Sequence, residues 1–278
     1  GIPQPDAGSL APVDLRQTGA VAEFEFDGGR VSWQADDWLS PHSTVVLGHW
    51  MSSWRYRRAF PGDAHLVAWL EVRCHRGGEV EVLPWLENGF LRVAAPGARS
   101  GRVRFRLAGL LRFEQDLQLL NHQRAVLAGP DGLTHWLGTP HVVRPRHDVD
   151  YLMATRLVPR YRVPAAVSTK LLSRLATRYT PLERAGYPLG MGAAGYDPSI
   201  GLLPEWDVAY LVTRADPRAF DAVMIQACAA GRYGTHFRDE STRAPALPSA
   251  YPSLVLDGAS AGLTSSGASS RDQYTPAA

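Results

Sequence analysis

Lysine is almost missing from this sequence: Lys170 stands alone, and apart from the histidines every other basic side chain is arginine. Arginine-favouring codons account for such a bias, and arginine also binds carboxylates through a two-pronged fork that lysine lacks. Net charge is small too. With +2 over 278 residues, no field draws the chain to nucleic acid. Only two cysteines occur, Cys74 and Cys228, too far apart and too few for a disulfide framework or a metal-ligand spacing. Runs of ~20 apolar residues are absent, which argues against insertion of a helix into a membrane. No dinucleotide fingerprint and no Gly-x-Ser-x-Gly elbow is present, so no cofactor is expected and α/β-hydrolase chemistry is set aside.

What is present divides by the period of its apolar residues. The first stretch, residues 1–19, is rich in Pro, Gly and Ser and reads as an N-terminal arm or linker. From Ala20 apolar and polar residues alternate. AVAEFEF and RVSWQ flank a Gly-Gly turn as a hairpin does. HLVAWLEVRCH and GEVEVLPWLENG form a second pair around 76–78, and GFLRVAA and GRVRFRLAG a third. In the last of these, Val103, Phe105 and Leu107 share one side while Arg102, Arg104 and Arg106 share the other. Further strands are expected over 117–127 and 133–137. Successive strands without intervening helices predict an antiparallel β-sandwich over residues 20–150. Its aromatics (Trp33, Trp38, Trp50, Trp54, Tyr56, Trp69 and Trp85) suit a sandwich core, and indole faces also stack on sugar rings.

Past Tyr151 the apolar period becomes three to four residues, so 151–278 is expected to be an α-helical domain. A helix over 168–178 would align Leu171, Leu172 and Leu175. The glycine-rich stretch 187–203 reads as a long loop, without the Gly-Lys-Ser/Thr of a phosphate loop. Residues 204–213 suit a short helix. Asp216 then offers an N-cap with Pro217 at the first helical position, followed by Phe220, Val223, Met224, Ala227 and Cys228 at helical spacing and Gly231 as a stop. The two helices make an αα-hairpin joined at 214–216. A single hairpin cannot bury both faces, so this second part is expected to be incomplete.

Three segments carry a resemblance: HWLGTPHVVRPRHDVDYLMATRLVPRY, YPLGMGAAGYDPSIGLLPEWDVAYLVT and GRYGTHFRDESTRAPALPSAYPSLVL. Together, over about residues 20 to 278, the chain resembles exo-rhamnogalacturonan lyase-like proteins, including bacterial and prophage-encoded members. The resemblance implies a β-sandwich followed by an (α/α) toroid, of which this sequence would hold the beginning.

The densest cluster of reactive side chains is Arg232, Tyr233, His236, Arg238, Asp239 and Glu240. Uronate β-elimination needs a cation on the carboxylate, a base for the α-proton and an acid for the leaving oxygen. Arg232 or Arg238 suits the first task, and His236 or Tyr233 the others. Tyr233, His236 and Arg238 are therefore the catalytic candidates, with Arg232 and Asp239 binding substrate. The plainer alternative pairs Arg238 with Asp239 or Glu240 in a loop that only caps the helices. Tyr196, Asp197, Trp206 and Asp207, in or beside the glycine-rich loop, are candidate sugar contacts, and loop packing would use them equally well. Hydrolysis would need two facing carboxylates, for example Asp207 and Asp239. His135, His141 and His147, with Asp148 and Asp150, are spaced too widely for a compact metal loop and read as structural.

Two functional expectations follow. One is a lyase-like protein that binds or degrades an acidic polysaccharide. The other is a non-catalytic tailed-phage virion component, a tail fibre or tail-tip protein, that binds host glycan and associates with copies of itself or with other virion proteins. Both imply an extracellular or virion setting.

Overall fold

The computed structural model describes residues 15–16, 18–89, 97–128, 132–145, 147–164, 168–187, 202–234, 236–239 and 242–250. It is β-rich, with antiparallel sheets first and helices later in the chain, and it forms two compact units. One unit comprises residues 1–140 and 231–278, the other residues 141–230.

Among the described residues the first unit holds ten strands. β1 (Ala22–Phe26), β2 (Gly29–Trp33), β7 (Arg99–Leu107) and β8 (Leu110–Leu119) form a four-stranded sheet in the order β2-β1-β7-β8. β3 (Ser43–Leu47), β4 (Met51–Phe60), β5 (Asp63–His75), β6 (Val80–Asn88) and β10 (His135–Leu137) form the second sheet, with β9 (Gln123–Val126) also paired to β6. Turn chemistry sets the hairpins. Asp27 and Gly28 both take positive φ between β1 and β2, as a two-residue turn between twisted strands requires.

Alternation buries one side of the four-stranded sheet: Phe24, Val103, Phe105 and Leu107 are fully covered. Phe24 lies opposite Phe105 in register, their rings 4.9 Å apart. The second sheet packs on this face, bringing Phe60 of β4 to 6.3 Å from Phe26 of β1. The arrangement is sandwich-like. Strands β5 and β6 are buried on both faces, which explains their near-continuous apolar and aromatic sequence.

Several boundaries differ from the sequence expectation. The strand expected over 117–127 is the end of β8, a turn at Asn121–His122 and then β9; His122 takes a positive φ there and breaks the run. The partners of Arg99–Leu107 are β1 and β8, while most of GFLRVAA lies outside the described residues. The end of the expected arm is anchored, since Leu15 and Ala20 are buried and the Trp38 indole donates to the Ala20 carbonyl at 3.0 Å.

The helical unit is 141–230 rather than 151–278. It contains α1 (Val149–Ala154), α2 (Thr169–Ser173), α3 (Glu205–Val212) and α4 (Pro217–Ala229). Asp216 caps α4 by accepting from the Arg218 amide, and Arg214 and Ala215, both at positive φ, turn the chain between α3 and α4. The expected 168–178 helix is cut to five residues, yet Leu175 still packs with Leu171, Leu172 and Trp206 around Ala209, Ala219 and Ala222. No helix among the described residues is long and apolar enough to cross a membrane.

After Gly231 the chain returns to the first unit. The His236 amide donates to the His122 carbonyl at 3.0 Å and the Arg238 amide to that of Gly89 at 2.9 Å. Residues 237–239 and 242–246 form a strap held together by Asp239 N–H to Ala244 O (3.0 Å) and Ala246 N–H to Phe237 O (2.9 Å). Two glycines let this strap approach. A Cβ on Gly89 would collide with the His236 carbonyl oxygen, and one on Gly231 with that of Arg124.

Candidate functional site

Strand register assembles a polar and aromatic field on the outer face of the second sheet. Across β4, β5, β6 and β9, one row reads Arg57, Trp69, Trp85, Val126. Its neighbours read Arg55, Glu71, Leu83 and, on the other side, Glu87 opposite Arg124. The intervening residues Tyr56, Leu70, Leu86 and Ala125 are buried among the core residues, so strict alternation commits these charges to one side.

Trp69 and Trp85 lie parallel, 5.6 Å between centroids and 6° between planes. Guanidiniums bracket the stack: Arg238 sits 4.8 Å from the Trp69 centroid, Arg57 at 5.8 Å from the same ring, and Arg124 at 5.4 Å from Trp85. Arg238 also forms a two-pronged pair with Glu87, at 2.5 and 3.1 Å, and Glu87 is 2% exposed. The strap and this face enclose a cleft of about 340 Å³, within the size range of small-ligand sites. Its walls include Arg55, Arg124, Arg238 and Arg243, against Glu71 and Glu87.

No family model, curated protein or solved structure matches this chain. The site is therefore read from its own chemistry.

Four guanidiniums against two carboxylates leave two positive charges. The pairing identifies them: Arg55 is held by Glu71 at 3.1 Å and Arg238 by Glu87. Among the described residues Arg124 and Arg243 have no carboxylate partner. His42 stands on the cleft wall. Burial and then the charges of Arg57, Arg238, Arg243 and Arg55 lower its pKa, so the imidazole is neutral at neutral pH. The Glu71 carboxyl is held below its ordinary range by Arg73 and Arg55, despite the opposing effect of burial.

Of the residues singled out from sequence, Arg238 lines the cleft and pairs with Glu87. Asp239 caps the strap turn, accepting from the Thr242 amide at 2.7 Å. Arg232 lies over the Tyr233 ring at 5.5 Å, and its carbonyl accepts from the Gln123 side chain. Neither Arg232 nor Tyr233 is on the cleft wall. His236 is not on that wall either, and burial, reinforced by Arg124, lowers its pKa to about 4. Its Nε2 is buried without a hydrogen-bond partner.

In the helical unit, Trp206 joins the apolar cluster on α3 and meets Tyr187 edge-on at 5.1 Å. Asp207 is partly buried and its pKa is raised by that burial. Tyr196, Asp197 and Glu240 lie outside the described residues. His135 is buried, with Nε2 2.7 Å from the Leu127 carbonyl oxygen, and His147 Nδ1 lies 2.7 Å from the Tyr210 hydroxyl. Among the described residues no group of three or more His, Cys, Asp or Glu is arranged to hold a metal ion.

Sequence reading missed Glu71, Glu87, Arg124 and Arg243. The available signal was the continuous burial implied by β5 and β6: Trp and Glu at alternate positions on strands with no wet face need something to cover them.

Proposed function

We propose that this protein binds an acidic saccharide in the arginine-lined cleft between the second sheet and the strap that carries Arg238 and Arg243. The observation that carries the reading is the pair of guanidiniums, Arg124 and Arg243, that have no carboxylate partner among the described residues, in a cleft whose other two arginines are already ion-paired. A carboxylate placed between them gains charge-assisted hydrogen bonds in a partly desolvated setting. The choice of a saccharide rests on the resemblance to exo-rhamnogalacturonan lyase-like proteins, in whose layout α3 and α4 would be the first hairpin of a toroid. The indole faces are occupied by each other and by guanidiniums, so recognition runs through charge and indole edges rather than sugar stacking.

Binding is favoured over β-elimination. Arg238, the strongest catalytic candidate, already neutralises Glu87, and His236 and Tyr233 stand off the cleft wall. Calorimetric titration with oligogalacturonides and with neutral oligosaccharides of equal length tests the proposal. The acidic ligand should bind, more weakly as salt rises. Arg124→Gln and Arg243→Gln should each weaken it by about tenfold or more. Equal binding of neutral and acidic ligands, or indifference to both substitutions, would sink it. Release of unsaturated uronate, read by ultraviolet absorbance, would move the assignment from binding to catalysis.

A further inference from the structure

Arg238 is held at all three nitrogens of its guanidinium. Nε and Nη2 donate to the Glu87 carboxylate at 2.5 and 3.1 Å, and Nη1 donates to the Arg243 carbonyl at 2.8 Å. One rigid fork thus ties β6 to the strap. The Arg243 amide in turn donates to the Asp239 carbonyl at 2.8 Å, so both backbone polar groups of Arg243 are pinned. Arg243 takes a φ of 58°. Left-handed backbone is costly for a residue with a Cβ, and it persists where the surroundings impose it, often at ligand clamps. A turn serving only to close the strap would take glycine or asparagine here. The residue found is instead an arginine on the cleft wall, with no carboxylate partner among the described residues.

We propose that Arg238 is a positioning residue: by gripping the Arg243 carbonyl it keeps the Arg243 guanidinium on the cleft wall. The two arginines then divide the work. Arg243 touches the ligand's acid group, while Arg238, occupied by Glu87, acts through Arg243. The gain is preorganisation, because a strap fixed before the ligand arrives loses less conformational entropy on binding. The consequence for recognition rests on the reading of this cleft as the site of an acidic saccharide; the positioning itself does not.

The test uses the whole chain, with trigalacturonate as the probe. Arg238→Lys keeps the charge but loses the fork, and it should weaken binding by about tenfold, the worth of one charge-assisted hydrogen bond. A double-mutant cycle supplies a readout that a merely structural role would not move. In an Arg243→Gln background the lysine should cost less than about twofold, whereas in an Arg124→Gln background it should still cost about tenfold. Equal losses in the two backgrounds, or no loss in either, overturn the proposal. Glu87→Gln serves if the lysine variant folds poorly. By charge alone it would tighten binding of an acid, so weaker binding supports the positioning role and tighter binding overturns it. A ligand-free measurement separates this proposal from the saccharide reading. His42, on the cleft wall, has its pKa lowered by burial and by Arg57, Arg238, Arg243 and Arg55. Arg238→Lys should raise that pKa, followed by nuclear magnetic resonance, as the strap and Arg243 withdraw. If the unmodified protein binds no acidic probe, the saccharide reading falls alone: a raised His42 pKa still supports the positioning role, and an unchanged one overturns it.

Discussion

On the outer face of the four-stranded sheet, Arg104 lies between Glu25 at 2.8 Å and Glu114 at 2.6 Å, with water on the open side. On the outer face of the other sheet, Arg238 meets Glu87 at a similar distance, but Glu87 is 2% exposed and the strap covers the pair. Residue types and distances are alike; only solvent differs. Exposed ion pairs contribute little because water competes for each charge, whereas a covered charge that loses its partner has no substitute. The first face is thus a solvated surface and the second an organised site.

The largest effect that would sharpen this contrast is expected at Glu87. Glu87→Ala should destabilise the protein by about 3–5 kcal/mol, measured by urea unfolding, because it strands Arg238 under the strap. The double change Glu87→Leu with Arg238→Met should recover much of that loss, since no buried charge remains. If Glu87→Ala is silent, the two faces do not differ as described.

A second effect depends on pH. The folded-state pKa of His236, about 4, lies below its ordinary value of 6.5. Between these values the unfolded chain binds the proton and the folded chain does not, so stability is full above about 6.5 and falls as pH drops toward 4. The shift corresponds to roughly 3 kcal/mol. Unfolding midpoints measured across this window should show the fall, and His236→Gln should flatten it.

The smallest effect is expected on the open face. Glu114→Gln should leave the unfolding midpoint unchanged within error at physiological salt, with any difference confined to low ionic strength. A loss comparable to that of Glu87→Ala would erase the distinction.

These two faces also mark what the sequence made legible. Alternation at Val103–Leu107 and Glu23–Phe26 has a wet side and a dry side, and it predicts the first sheet well. Asp216-Pro217 announces α4 because the cap is local chemistry. The cleft was only partly legible. Arg238 was marked by its reactive neighbours, but its partner Glu87 stands far upstream, and sequence spacing carries no sign of such a meeting. The same blindness placed 231–250 with the helices: its hydrogen bonds run to His122 and Gly89, which only the folded chain reveals.

The separation of Glu87 and Arg238 has a consequence for synthesis. The two lie 151 residues apart, with the entire helical unit encoded between them. At roughly 5–20 residues per second, the ribosome delivers Arg238 on the order of ten seconds or more after Glu87 emerges. During that interval the Trp69–Trp85 stack and its carboxylate have no roof. The nascent sheet must stay dispersed until translation supplies one.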